Sequence, residues 1–298
     1  MAFHSLMVRL VAQLRTDVPA PADVVELGNQ TFKARADDCD GVAAWLNERS
    51  IPFDAALLRE IAARDGAARD ASTADYYRAL GYASYCAIDV NGRYGSLVMD
   101  LNRNLAEHYG YRTRFDLVTN NGTGEHVFDQ AAVFANVHAL CRVGGSMLHV
   151  LPFFNYLNHG FFAFNPILFH DLAAANGYRL ARLSIANNHG FEIGTDAETV
   201  LTRDELQERC AVDGSRRGSL QHLLGLGKRG KRSRRALSMA LRRVMRDGPN
   251  VSVVALLRKT VDAPFKVPIQ GMYGGANIDD DAVRDGYAAH EGRSGDAS

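Results

Sequence analysis

Between Ala74 and Asn176 the chain sets short apolar runs one after another, each closed by a turn or a carboxylate. Tyr85-Cys86-Ala87-Ile88-Asp89 and Ser96-Leu97-Val98-Met99-Asp100 both end in an acid. Phe115 to Asn120 runs into Asn121-Gly122-Thr123-Gly124-Glu125-His126, and Val143-Gly144-Gly145 turns into Ser146 to Val150. Short continuous apolar runs that alternate with helical patterns read as buried parallel strands of an α/β sheet. An acid at the carboxyl end of such a strand lies where open α/β sheets bind nucleotides. The series therefore predicts a doubly wound, Rossmann-like sheet with helices on both faces.

The rest of the chain extends that pattern. Phe3, Leu6, Met7, Leu10, Val11 and Leu14 recur at helical spacing, with Arg9 and Arg15 assigned to the polar side, so residues 1–20 read as an amphipathic N-terminal helix rather than a signal peptide. After the stiff turn at Pro19 to Pro21, Asp23 to Leu27 is a first strand with Gly28 at its exit. Three helical pieces start near Asp40, Phe53 and Ser72, the last behind a capping signal in Ser72-Thr73-Ala74-Asp75. Val127 to Leu140 forms a helix face, and Asn165 to Asn176 a helix with Pro166 near its start and Gly177 past its end. Strands resume at Tyr178 to Ile185 and Val251 to Leu257, and the polar tail from about Ala288 reads as disordered.

Composition narrows the function classes. With 47% hydrophobic and 23% charged residues a large core is available. No segment approaches the roughly 20 apolar residues of a membrane span, so a cytoplasmic location is expected. Lys plus Arg equals Asp plus Glu at 34 each, leaving no bulk attraction for polyanions. The basic residues are unevenly spread: Lys228, Arg229, Lys231, Arg232, Arg234, Arg235, Arg242, Arg243 and Arg246 occur with no acid among them. A solvated insertion is the plain reading of that tract; a phosphorylated substrate, nucleic acid or an anionic membrane surface are the others, and the absence of interleaved aromatics disfavours nucleic acid. Cys39, Cys86, Cys141 and Cys210 make no CxxC pair and read as reduced thiols, and no metal site is expected.

Several residues stand out as candidates for a site. Glu26-Leu27-Gly28-Asn29 occupies the position of a ligand loop, although one glycine after a strand also suits a plain turn and lacks the repeated glycines of a dinucleotide fingerprint. Asp89 can accept hydrogen bonds from vicinal ribose hydroxyls, and Asp100 with Asn102 suits an adenine edge; turn or helix capping is the alternative for both. Half of the ten histidines fall in one window. Of these, His138 and His170 sit within helical patterns, while His126, His149 and His159 lie at loop or strand ends, where a general base is wanted. Their spacing matches no zinc motif.

From Asp23 to Thr260 the chain resembles a class I S-adenosylmethionine-dependent methyltransferase, and is similar to a bacterial group of them in three stretches: Leu80 to Asn102, FDLVTNNGTGEHV at Phe115 to Val127, and His159 to Tyr178. The resemblance implies a seven-stranded sheet, mostly parallel, whose last strand is antiparallel and inserted between the fifth and sixth. It implies S-adenosyl-L-methionine as cofactor, with Glu26, Gly28 and Asn29 at the methionine end, Asp89 on the ribose, Asp100 on the adenine side, and Asn120, Asn121 and Gly122 facing the methyl group. Residues 21–262 would form the methyltransferase-like domain, with a helical insertion at 40–82, a basic insertion at 212–248 and a C-terminal tail at 263–298. Methyl transfer to an oxygen or nitrogen of a small molecule or sugar, the acceptor anionic if the basic tract serves it, is the function implied, with His126, His149 or His159 as base. The glycine loop is reduced to Gly28-Asn29-Gln30, which leaves a second reading: a non-catalytic binding or regulatory protein on the same fold. Oligomeric state is left open, a homodimer included.

Overall fold

The structure, a computed structural model, describes residues 2–19, 21–64, 70–187 and 250–270. The basic tract, Cys210 and the tail beyond residue 270 lie outside the described residues. In chain order the elements are β1 (Ala2–Phe3), α1 (Ser5–Gln13), β2 (Asp23–Leu27), β3 (Thr31–Phe32), α2 (Ala36–Glu48), α3 (Ala55–Ala62), α4 (Ala74–Ala79), β4 (Ser84–Asp89) and β5 (Leu97–Val98). They continue with α5 (Leu105–His108), β6 (Phe115–Asn121), α6 (Gln130–Leu140), β7 (Cys141–Phe154), α7 (Ile167–Asn176), β8 (Tyr178–Asn187) and β9 (Val251–Lys259).

Seven strands form one sheet in the order β5-β4-β2-β6-β7-β9-β8. All neighbours are parallel except β9, which runs antiparallel to both β7 and β8. β9, the last strand among the described residues, is thus inserted between the fifth and sixth of the sheet, as the resemblance implied. The chain winds outward from β2 through β4 to β5, then returns to the other side of β2 with β6. That reversal puts the topological switch point of the sheet between the carboxyl ends of β2 and β6, the edge at which open α/β sheets bind ligands.

Strand periodicity builds two cores. Val24, Leu117, Leu148 and Val254 face one side, and their neighbours Val25, Val118, Met147 and Val253 face the other. The first side is covered by α1, α2, α3 and α4, the second by α5, α6 and α7. Side-chain caps set several helix starts: Asp54 accepts from Ala56 and Leu57 backbone nitrogens in α3, Asn104 from Ala106 and Glu107 in α5, and Asp129 from Ala132 in α6. At the amino edge Arg142 spans Asp116 (2.6 Å) and Asp23 (2.7 Å), tying β7, β6 and β2 together.

Three local expectations are corrected. Val143-Gly144-Gly145 is no turn before a strand; β7 starts directly after α6 at Cys141 and absorbs the glycines in a register shift opposite Phe115 to Leu117. Arg15 does not lie on a solvated face: it is 5% exposed, donates to Val18 O at 2.8 Å and lies over the Tyr82 ring. The N-terminal segment also contributes a strand, with β1 pairing in parallel with β3 in a separate two-stranded sheet. No helix among the described residues is long and apolar enough to cross a membrane.

Candidate functional site

The loops that leave β2, β4 and β6 are stitched together over the switch point. Asn29, 5% exposed, donates its backbone N–H to Asp89 (2.9 Å) and its side-chain amide to Asn91 Oδ1, Arg93 O and Ser96 Oγ. Gln30 crosses to the other side, donating to Asn121 O at 3.0 Å while accepting from the Asn121 amide at 3.3 Å. Thr123 closes the same seam by donating to Leu27 O at 2.6 Å. The close approach explains Gly28, which has φ of +74°, and a Cβ there would stand 2.3 Å from Thr123 Oγ1. Gly122, at φ of +62°, turns the chain after β6, its N–H donating to Val150 O at 3.0 Å.

Asp89 stands half-buried at the carboxyl end of β4, accepting from the backbone of Asn29 and Asn91. A carboxylate has about four lone-pair sites, so two backbone bonds leave capacity for a ligand hydroxyl. Asp100, beyond β5, folds back on its own turn, where Oδ1 accepts from both the backbone and the side chain of Asn102. Those bonds hold its carboxyl below the usual carboxylate range. The capping role weighed for Asp100 is thus the one its hydrogen bonds express, while the cap of α5 is Asn104.

Two of the candidate residues are enclosed by the protein rather than open at the strand ends. Glu26 shares the face of Val24, and its carboxylate is wholly buried against α4 and β4. It accepts from Thr73 Oγ1 (2.6 Å), Tyr85 OH (2.8 Å) and Tyr77 OH (2.9 Å). Burial pushes its pKa up to about 7, while the three hydroxyls pull it down. The capping signal at Thr73 has the same outcome: its hydroxyl goes to Glu26 and makes no cap. His149, in the middle of β7, is 1% exposed between the rings of Phe134 and Phe169. Burial lowers its pKa to about 3, so the ring is neutral, and a side chain so enclosed reaches no methyl acceptor. Its Nδ1 lies 3.3 Å from the amide of Asn120, whose carbonyl oxygen accepts from Gly124 N at 2.9 Å. Asn120 and His149 therefore brace the loop after β6.

That loop delivers the most reactive group of side chains. Glu125 is buried at the centre of a short 3-10 turn, Gly124–His126, with its Oε1 3.3 Å from His159 Nε2 and 3.8 Å from His126 Nε2. The two imidazole rings are 5.0 Å apart and 40% exposed in their side chains. Glu125 Oε2 is buried with no hydrogen-bond partner among the described residues. Burial raises the Glu125 carboxyl to about 7, and lowers His126, which the neighbouring His159 lowers further. His159 comes from the loop after β7, which is clamped onto the turn: Phe161 N donates to Glu125 O at 2.7 Å, and a Cβ on Gly160 would lie 2.7 Å from Glu125 Cγ. Beside the cluster, Phe128 and Phe161 are strongly exposed and meet at 6.1 Å, with Phe162 against both. They form an apolar shelf.

Of the sequence candidates, the fold brings Gly28, Asn29, Asp89, Asn120, Asn121, Gly122, His126 and His159 to one edge. Sequence reasoning does not single out Glu125 or Thr123, nor the bridging role of Gln30. The signal for Glu125 is present, a carboxylate beside a histidine in a glycine-bounded turn, but its second histidine lies far along the chain.

No protein-family model matches the chain, and no curated protein matches it. Solved structures do. A protein of Bacillus halodurans C-125, provisionally designated a methyltransferase, is 11% identical over 85% of this chain and 99% of its own, with a TM-score of 0.41. Coclaurine N-methyltransferase bound to N-methylheliamine and SAH is 10% identical over 85% of this chain and 71% of its own, at 0.38. A SAM-dependent methyltransferase from Thiobacillus denitrificans, in complex with S-adenosyl-L-homocysteine, is 11% identical over 85% and 90%, at 0.35. At such identities and scores the likeness speaks for no residue and no reaction; those rest on this chain's own side chains.

Proposed function

We propose that the chain is a class I S-adenosylmethionine-dependent methyltransferase acting on an oxygen or nitrogen of a small molecule. The observation that carries this reading is the meeting, at one edge of a sheet with the β9 insertion, of Asp89 with the Glu125, His126 and His159 cluster. A nucleoside acceptor group and a proton-handling group then lie at the same edge of the sheet.

The residues suit the cofactor. Asp89 keeps lone pairs for the ribose hydroxyls, and Gly122, at φ of +62°, turns the loop after β6 with no side chain in the way. Bound there, the cofactor supplies an electrophilic methyl carbon on a sulfonium sulfur. The chain's part is to align the acceptor and relieve it of its proton. An imidazole whose Nε2–H is oriented by Glu125 keeps Nδ1 to take that proton; His159 has this hydrogen bond at 3.3 Å, and His126, 3.8 Å from the same oxygen, stands beside it without one. His149 would act only through Asn120. The phenylalanine shelf favours an acceptor with an apolar or aromatic body.

Calorimetry with S-adenosylmethionine and its demethylated product tests the reading. Asp89→Ala should weaken binding by about 1.5–3 kcal/mol, roughly ten- to a hundredfold. Absence of binding by the wild type at millimolar cofactor would overturn the enzyme. The bridge from Gln30 to Asn121 favours one rival, a binding protein on a retained fold, because it ties the reduced glycine loop to the loop after β6. Labelled-methyl turnover against a panel of small hydroxyl and amine acceptors separates the two: cofactor binding without turnover of any acceptor supports the rival.

A further inference from the structure

The Glu125 cluster has a geometry that a proton relay alone does not call for. One carboxylate oxygen faces two imidazole nitrogens at 3.3 and 3.8 Å, and Glu125, His126 and His159 can each offer one ligand atom within 4.8 Å of the others. A hydrogen bond to Oε1 needs only one of those rings. Ligand atoms about 2.0–2.1 Å from a tetrahedral ion stand roughly 3.4 Å apart, close to the two carboxylate–imidazole distances of 3.3 and 3.8 Å. The carboxylate is wholly buried while both imidazoles are partly exposed, so the donors converge from one side and leave the solvent side open. Two neutral nitrogen donors and one carboxylate suit zinc, cobalt or ferrous ions rather than calcium or magnesium.

We propose that Glu125 Oε1, His126 Nε2 and His159 Nε2 bind one divalent transition-metal ion, with open coordination positions toward solvent. The clamp of the loop after β7 onto the turn, through Phe161 N and Gly160, is what brings the third ligand within range. In the ion-loaded protein the imidazoles are ligands, and an acceptor hydroxyl on an open position loses its proton to water because the ion acidifies it. That last role rests on the methyltransferase reading; the ion site itself does not.

The test uses the full chain, stripped with chelator and titrated with zinc by calorimetry and with cobalt by visible absorption. One ion per chain is expected, with a cobalt spectrum of low coordination number. Glu125→Gln, His126→Ala and His159→Ala should each weaken binding at least about tenfold, whereas His108→Ala, at an exposed histidine elsewhere, should not. His126 and His159 are exposed enough that their variants should fold, which circular dichroism checks. No zinc binding by the folded wild type at about 0.1 mM, or binding that all three substitutions leave unchanged, would overturn the site. Neither measurement involves the cofactor, so failure here is distinct from failure of the methyltransferase reading.

Discussion

At the scale of single residues, Glu26 is the most consequential side chain outside the site. Its pKa rises from 4.5 to about 7 because burial penalises the charged form. The titratable groups facing it, Tyr77 and Tyr85, are themselves raised by burial and stay neutral in this range. Between pH 4.5 and 7 the folded protein therefore holds a proton that the unfolded chain has released. Its contribution to stability is complete below the lower value and is lost as pH rises through the upper one. A shift of this size corresponds to about 3 kcal/mol at most. Glu26→Gln keeps the shape and removes the titration, so urea unfolding at about pH 5 and about pH 8, on either side of the folded value, should show a smaller loss of stability than the wild type. An unchanged pH dependence would remove Glu26 as its source. Comparing the two proteins cancels whatever other carboxyls contribute. The sequence marks Glu26 as an acid near a strand end, and period-two alternation puts it on the face of Val24. It does not reveal that Thr73, 47 residues on, and Tyr77 and Tyr85, 51 and 59 on, fold over that face.

At the scale of elements, most of the pattern was legible because it is periodic. The sheet strands alternate apolar residues between two cores, and α7 starts after Pro166 and stops before Gly177. What periodicity does not carry is the contact at element ends. Lys259 is an example: the last residue of β9, 1% exposed, it donates to His138 O (2.9 Å) and Cys141 O (3.2 Å). It thereby satisfies carbonyls where α6 passes straight into β7 without a loop. A sequence reader sees only a lysine after an apolar strand. Lys259→Met should keep the volume and strand two buried carbonyls, costing about 2–3 kcal/mol in urea unfolding. Because β9 is antiparallel, its end lies at the amino edge of the sheet, opposite the candidate site. Cofactor affinity should then be unchanged, and a matching loss of affinity would mean that the two edges are coupled.

At the scale of the whole molecule, neutrality hides a separation of charge. Nine bases and no acid lie between Lys228 and Arg246, so the remaining residues hold 25 bases against 34 acids. The order of strands and helices could be read from the sequence because each element declares itself locally. The seam over the switch point could not, since Asn29 and Gln30 meet partners 60 to 91 positions away. Charge is different again, because a concentrated basic tract acts at long range without a defined contact, over about 8–10 Å at ordinary salt. An anionic acceptor would be drawn to such a tract, whereas the contacts proposed for the cofactor come from Asp89 and the loop after β6. Neutralising Arg232, Arg234 and Arg235 together should therefore raise KM for anionic acceptors and flatten its dependence on salt, with neutral acceptors and cofactor affinity unaffected. Steady-state kinetics of matched anionic and neutral acceptors, at low and high ionic strength, gives the comparison. Equal KM values for the variant and the wild type with the anionic member would assign the tract to solvent and remove charge from the description of the acceptor.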